Sequence, residues 1–141
     1  MSQVRRILCV DDEPTALTVR RLLLSHPGYT VLTTTSGNVA LRLFSCNHVD
    51  LAITDHVSSD TRAELISEMK RLKPEVPIIL LAALAEPPPG HVQADLLLSK
   101  GMMPQEFLAE VAKLLSNPQS AGQERAAHRV GAVKSLPRLC R

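Results

Sequence analysis

Aromatic residues are scarce in this chain of 141 residues: they make up 2% of it, as Tyr29, Phe44 and Phe107, and tryptophan is absent. Hydrophobic residues nevertheless reach 45%, so the core must be built from aliphatic side chains. The length predicts one domain, large enough for a real core. No apolar run reaches the roughly 18 residues that a transmembrane helix needs, so we expect no membrane span.

Cysteine is also rare, and its spacing is informative. Cys9, Cys46 and Cys140 are odd in number, lie far apart and form no CxxC pair. Cys9 and Cys46 lie in apolar stretches, and we predict that they are reduced core residues of a cytoplasmic protein. The N-terminus favours the same location, because residues 1–6 lead straight into a predicted strand without a signal-peptide pattern.

Positive charge is concentrated at one end of the chain. Residues 1–116 carry 11 lysines and arginines against 13 aspartates and glutamates, whereas residues 117–141 carry five against one. The net charge of +2 therefore combines an acidic domain with a basic tail. We predict a domain at 1–116 and a flexible tail at 117–141, where apolar periodicity fades. This balance argues against nucleic acid binding by the domain and leaves the question open for the tail.

Five apolar segments rich in aliphatic and β-branched residues alternate with helical patterns. The predicted strands span about residues 6–11, 29–34, 49–55, 78–82 and 95–99. The predicted helices begin at Pro14, after Ser36, at Asp60 or Thr61, and at Pro104. Three prolines within 86–90 exclude a regular helix there, so any further helix must be short, around 91–94. The alternation predicts an α/β fold with a parallel sheet covered by helices on both faces.

Charged residues end three of the predicted strands. Asp55 ends the central one, Asp11 and Asp12 end the first, and Lys100 ends the fifth. Because ligands of open α/β sheets bind outside the carboxyl ends of the strands, we expect these residues to form one polar site. Adjacent carboxylates are tolerated around a hard cation such as Mg²⁺. One of them can act as a nucleophile toward a phosphoryl group, while the metal and a lysine neutralise the developing charge.

Four stretches in this order resemble the motifs of response-regulator receiver domains: residues 7–14, 50–55, 77–81 and 98–100, within a match over about 5–116. As a set they are specific, although each alone would be weak. The resemblance implies a flavodoxin-like fold, a doubly wound five-stranded parallel sheet with strand order 2-1-3-4-5. It also implies a signalling domain rather than an enzyme, one that accepts a phosphoryl group from a histidine kinase or a histidine phosphotransfer protein.

The resemblance assigns roles to individual residues. Asp55 would be the phosphoacceptor and Lys100 would contact the phosphoryl group. Mg²⁺ would be held by Asp12, Asp55 and the backbone carbonyl of Val57, with Asp11 acting through water. The output would be binding of an unidentified partner or onward phosphotransfer, and weak homodimerisation is left open.

The chain departs from the family's pattern at several positions. Ala82 stands at the end of the fourth strand, where a serine or threonine hydroxyl is expected to follow the phosphoryl group. Leu97 occupies the place of the aromatic partner in the family's two-state switch, and Gly101 replaces the proline after the lysine. Residues 57–62 also replace the usual loop after the phosphoacceptor. We therefore expect phosphotransfer to survive and phosphorylation-driven switching to be weakened.

Two alternatives follow from these observations. The first is a pseudo-receiver, an interaction module whose partner binding ignores phosphorylation, and it is favoured by Ala82, Leu97 and Gly101. The second is a metal-dependent phosphatase with an aspartyl nucleophile. Such enzymes typically carry a second acid two residues after the nucleophile, where this chain has Val57, and the chain has no large substrate cap.

Overall fold

The computed structural model describes residues 4–55, 60–83 and 93–116. Five strands and four helices lie in these ranges. Their bounds are β1 Arg6–Val10, α1 Pro14–Ser25, β2 Thr30–Thr34, α2 Gly37–Cys46, β3 Leu51–Asp55, α3 Asp60–Leu72, β4 Ile78–Ala82, β5 Leu96–Ser99 and α4 Pro104–Ser116. The predicted strands and the four predicted long helices are therefore all present.

The five strands form one parallel sheet in the order β2-β1-β3-β4-β5. This order and the parallel pairing confirm the predicted flavodoxin-like topology. β3 and β4 are buried along their whole length, while β2 and β5 at the edges are largely half-buried. Continuous apolar strands are typical of a parallel sheet covered on both faces.

The sheet separates two hydrophobic clusters, because alternate residues of a strand point to opposite faces. On one face, Leu8, Val10 and Leu80 pack with residues of α2 and α3, including Phe44 and Ile66. On the other face, Ile7, Cys9, Ile53 and Leu81 pack with residues of α1 and α4, with Phe107 and Val111 among them. The helices thus lie on both sides of the sheet, as predicted.

Three strands, β2, β3 and β5, begin one or two residues later than the sequence predicted. Before β3 and β5, the carboxylate of an aspartate accepts from a backbone amide of the adjacent strand. Asp50 Oδ2 accepts from the amide of Arg6 at 2.8 Å, and β3 begins at Leu51. Asp95 Oδ2 accepts from the amide of Ile78 at 2.7 Å, and β5 begins at Leu96. These ends of the sheet are opposite the predicted site.

The prediction for Cys46 was wrong. Cys9 is free and fully buried, as expected, but Cys46 is exposed at the end of α2 and is disulfide-bonded. Ala40 and Phe44 lie on the buried side of helix α2, and position 46 lies on its exposed side.

The predicted short helix at 91–94 lies largely outside the described residues. Gln93 and Ala94, which are described, belong to neither helix nor strand. The tail predicted at 117–141 is also outside them. Among the helices in the described part of the chain, none is both long and apolar enough to cross a membrane.

Candidate functional site at the carboxyl ends of the strands

Asp55 is the last residue of β3 and is 3% exposed. The pairing of Val10 with Thr54 brings the end of β1 beside it. As a result, the backbone amide of Asp12 donates to Asp55 Oδ2 at 3.5 Å. The predicted phosphoacceptor therefore lies next to the acidic pair, as the sequence indicated.

Asp11 follows β1 and is 1% exposed. Its Oδ1 accepts from the amide of Glu13 at 2.9 Å, which turns the chain out of the strand and into α1. Its Oδ2 faces two cations: Arg20 Nη1 at 3.2 Å and Lys100 Nζ at 3.7 Å. A buried carboxylate is tolerated only with such partners.

Lys100 comes to the acids from two strands away. Its backbone amide donates to the carbonyl oxygen of Ala82 at 2.8 Å, which fixes the end of β5 to the end of β4. Its side chain, 32% exposed, reaches back to Asp11. The three predicted strand ends thus meet at one edge of the sheet, and Asp11, Asp55 and Lys100 lie in one site.

The structure describes three of the remaining predicted residues, Asp12, Ala82 and Leu97, which differ in exposure. Asp12 is exposed at the mouth of the site. Ala82 is 3% exposed and presents a methyl group at the end of β4, and Leu97 in β5 is 38% exposed. Val57 lies outside the described residues, so its backbone carbonyl remains a predicted ligand.

Arg20 is a residue of the site that the sequence reasoning missed. It lies three residues after Leu17 and four before Leu24, the two buried leucines of α1. This spacing places position 20 on the inward stripe of the helix. The sequence signal for Arg20 was an arginine at an inward position of the helix that follows the acidic pair.

The buried strand below the site and the strand ends that form it are different electrostatic environments. Beneath it, burial raises the pKa of the Cys9 thiol from 9.0 to about 12; nearby Arg20 opposes the rise and Asp11 adds to it. Above it, three carboxylates lie at neighbouring strand ends. Oxygen donors of this kind suit Mg²⁺, and a buried carboxylate among them suits nucleophilic attack on phosphorus.

The carboxylates of the site do not form a complete metal-binding cluster among the described side chains. Within the described ranges, no group of three histidine, cysteine, aspartate or glutamate side chains is already placed to hold a metal ion. In this structure Asp11 Oδ2 is directed at Arg20 and Lys100. The donor chemistry fits a magnesium ion, but Asp11 is engaged by protein cations.

Comparison with known proteins gives a consistent family assignment. A family model described as the response regulator receiver domain matches residues 7–112. The response regulator SaeR of Staphylococcus aureus is 30% identical over 118 residues, which cover 78% of this chain and 50% of SaeR. The chain spans about half the length of the curated relatives that it matches.

Solved structures agree with the observed topology. A CheY-like receiver domain protein from Methanospirillum hungatei superimposes with a TM-score of 0.75 at 22% identity, over 84% of this chain and 99% of that one. At that identity the likeness concerns the fold alone. TrrA of Thermotoga maritima, solved in complex with Mg²⁺-BeF, gives a TM-score of 0.71 at 31% identity, over 79% of this chain and 99% of TrrA.

Proposed function

Because this chain belongs to the response-regulator receiver-domain family of two-component systems, we propose that Asp55 accepts a phosphoryl group from the phosphohistidine of a histidine kinase or a histidine phosphotransfer protein. The observation that carries this proposal is the meeting of Asp55, Asp11 and Lys100 at one edge of the sheet. On this proposal the domain is a signalling module whose chemistry is limited to its own phosphorylation and dephosphorylation.

The chemistry needs a nucleophile, a counter-charge and a leaving group. A carboxylate oxygen of Asp55 attacks phosphorus, the P–N bond to the donor imidazole breaks, and the bonding electron pair stays on the imidazole nitrogen. The product is an acyl phosphate on Asp55. The Lys100 ammonium, already 3.7 Å from Asp11, is close enough to the strand ends to contact the phosphoryl oxygens.

Mg²⁺ is the proposed cofactor. Asp12, Asp55 and the backbone carbonyl of Val57 would hold it, with Asp11 acting through water. When bound, the ion neutralises charge on the phosphoryl oxygens. The position of Asp55, which is 3% exposed and whose Oδ2 accepts from the amide of Asp12, supports this assignment, because carboxylate oxygens at adjacent strand ends are the donors that Mg²⁺ prefers.

The experiment is intact mass spectrometry after incubation with acetyl phosphate, with and without Mg²⁺. We expect one added phosphoryl group that requires Mg²⁺ and is lost in Asp55→Asn. The matched control is Asp50→Asn, which changes a carboxylate just before the same strand, where it accepts from Arg6; this variant should be phosphorylated like the wild type. Phosphorylation that persists in Asp55→Asn would contradict the assignment of the phosphoacceptor.

A pseudo-receiver is the second candidate, and two observations favour it. Asp11 is already neutralised by Arg20 and Lys100, and Ala82 offers no hydroxyl at the end of β4. Absence of any adduct with acetyl phosphate, together with partner binding that is equal in wild type and Asp55→Asn, would favour this candidate over phosphotransfer.

The organisation around the domain is part of the proposal. We propose a receiver domain at 1–116 that acts in the cytoplasm by partner binding or onward phosphotransfer, followed by a basic tail at 117–141. We expect neither membrane nor nucleic acid as a partner of the domain, and weak homodimerisation stays an open prediction.

A further inference from the structure

Helix α1 carries an arginine where its buried stripe would be expected to continue. Leu17 and Leu24 are buried at 6% and 0% exposure, and Arg20 lies between them on the same side of the helix. Its side chain is 11% exposed. Arg21, the next residue, is exposed to solvent. The two neighbouring arginines therefore differ in environment while sharing the same charge.

The guanidinium of Arg20 is directed at the acidic site. Its Nη1 lies 3.2 Å from Asp11 Oδ2, closer than Lys100 Nζ at 3.7 Å. The other oxygen of Asp11 accepts from the amide of Glu13. Both oxygens of this carboxylate are thus engaged by the protein itself.

We propose that Arg20 is a resident counter-ion of Asp11 that competes with Mg²⁺ and thereby sets the metal affinity of the site. The inference rests on the proposed function, since it presumes that Mg²⁺ binds at these strand ends. Arg20 acts as a positioning residue: it holds the carboxylate of Asp11 in the metal-free protein. Metal binding then requires the guanidinium to release Asp11, or to remain close to a divalent cation in a poorly hydrated site.

Either course weakens metal binding. An isolated buried carboxylate is strongly disfavoured, so the Arg20–Asp11 pair stabilises the metal-free protein relative to a state with Asp11 unpaired. A guanidinium that stays close repels the metal, since two positive charges a few ångströms apart interact strongly where water is excluded. Removal of the guanidinium removes both effects and leaves Asp11 facing Lys100 at 3.7 Å.

The test is calorimetric titration of the full chain with MgCl₂ alone, in wild type, Arg20→Met and Arg21→Met. Methionine retains much of the apolar length of arginine and has good helix propensity. We expect the Kd for Mg²⁺ to fall by about tenfold in Arg20→Met, which corresponds to ~1.4 kcal/mol. Arg21→Met removes the same charge from the exposed neighbour, and its Kd should change by less than about twofold.

A second readout depends on folding rather than on heat of binding. Arg20→Met should have a lower Tm than wild type in EDTA, and its Tm should rise more on addition of Mg²⁺, because a ligand stabilises according to its affinity for the native state. If Arg20→Met does not fold without metal, Arg20→Gln takes its place. It removes the charge but keeps an N–H donor that can face Asp11, and its Kd should be lower than that of wild type.

The outcomes separate the two proposals. A measurable Kd in wild type that is unchanged or raised in the Arg20 variants would overturn the role of Arg20 and leave the proposed function in place. An equal tightening in Arg20→Met and Arg21→Met would also overturn it, because general electrostatics would then explain both. No Mg²⁺ binding by any of the proteins would overturn the magnesium site itself, and the inference with it.

Discussion

The backbone amide of Lys100 lies 2.8 Å from the carbonyl oxygen of Ala82, in a hydrogen bond between the ends of β5 and β4. Position 82 and the lysine are therefore held together at the site. Lys100, which supplies the cation, and Ala82, which lacks the hydroxyl, thus share one backbone hydrogen bond. A larger side chain at position 82 would lie at the same edge of the sheet as Lys100.

Introduction of a hydroxyl at this position should strengthen the response to a phosphoryl group. We expect Ala82→Ser to bind the phosphoryl mimic beryllofluoride with Mg²⁺ about fivefold more tightly, because one added hydrogen bond contributes ~1 kcal/mol. The measurement is the rise in Tm on addition of Mg²⁺ and beryllofluoride. Ala83→Ser, at the exposed next residue, is the control and should respond like wild type. An identical rise in all three proteins would show that position 82 does not contact the mimic.

Lys100 should matter more for phosphorylation than for stability. Its side chain is partly exposed and 3.7 Å from Asp11, and Arg20 remains at 3.2 Å from the same oxygen, so Lys100→Gln should reduce the free energy of unfolding by less than about 1 kcal/mol. The rate of phosphorylation by acetyl phosphate should fall by about tenfold or more, because the charge on the phosphoryl oxygens loses a cation. Lys113→Gln, which removes an exposed lysine paired with Glu110 at 3.3 Å, should leave the rate unchanged.

Cys9 should make the protein less stable in alkali. Burial raises its pKa from 9.0 to about 12, so the native state retains a proton that the unfolded state releases. The stabilising contribution is therefore complete below about pH 9 and is lost between pH 9 and 12, with a slope approaching ~1.4 kcal/mol per pH unit. Urea unfolding of wild type and Cys9→Ala should show a stability difference that shrinks across this window.

The comparison with Cys9→Ala is needed because another group titrates in the opposite sense. Burial lowers the pKa of Lys73 from its usual 10.5, against the raising effect of Glu75. A depressed folded pKa contributes stability at high pH that is lost as pH falls, and this contribution cancels in the difference between the two proteins. A stability difference that is flat from pH 8 to 10.5 would contradict the raised pKa of Cys9.

Asp95 should be important for the sheet although it lies outside the site. One oxygen, Oδ2, accepts from the amide of Ile78 at 2.7 Å and lies 2.7 Å from Lys70 Nζ. Asp95→Ala removes the carboxylate acceptor of that amide and leaves the ammonium with the carbonyl oxygens of Pro74 and Val76, and we expect a loss of about 1–3 kcal/mol in urea unfolding. Glu68→Ala removes an exposed pair with Arg71 on the same helix as Lys70, and its cost should be below about 0.5 kcal/mol. Equal costs would argue against a structural role for Asp95.

The strands and the long helices were predictable because their signals are local. Apolar β-branched runs, a proline at the start of α1 and the Ser36 cap, which accepts from Val39 at 3.2 Å, can each be read from a few adjacent residues. The convergence of Asp11, Asp55 and Lys100 was predictable as well, since parallel strands place their carboxyl ends at one edge.

The remaining details depend on three-dimensional contacts that no short window contains. Strands β3 and β5 begin directly after Asp50 and Asp95, because the carboxylates of these aspartates accept from backbone amides that are distant in sequence. Cys46 is exposed because of the direction in which α2 packs. Arg20 belongs to the site because its inward position on α1 faces Asp11. In the sequence alone, this residue resembles an ordinary surface arginine.

Both protein cations that face Asp11 are connected to helices on the same face of the sheet. Arg20 belongs to α1, and Lys100 lies just before α4; both helices pack on the same face of the sheet, against Ile7, Ile53 and Leu81. Helices α2 and α3 cover the other face and contribute no cation to Asp11 among the described side chains. We therefore expect a movement of these two cations to affect the packing of α1 and α4 before that of α2 and α3, which lie across the buried strands β3 and β4.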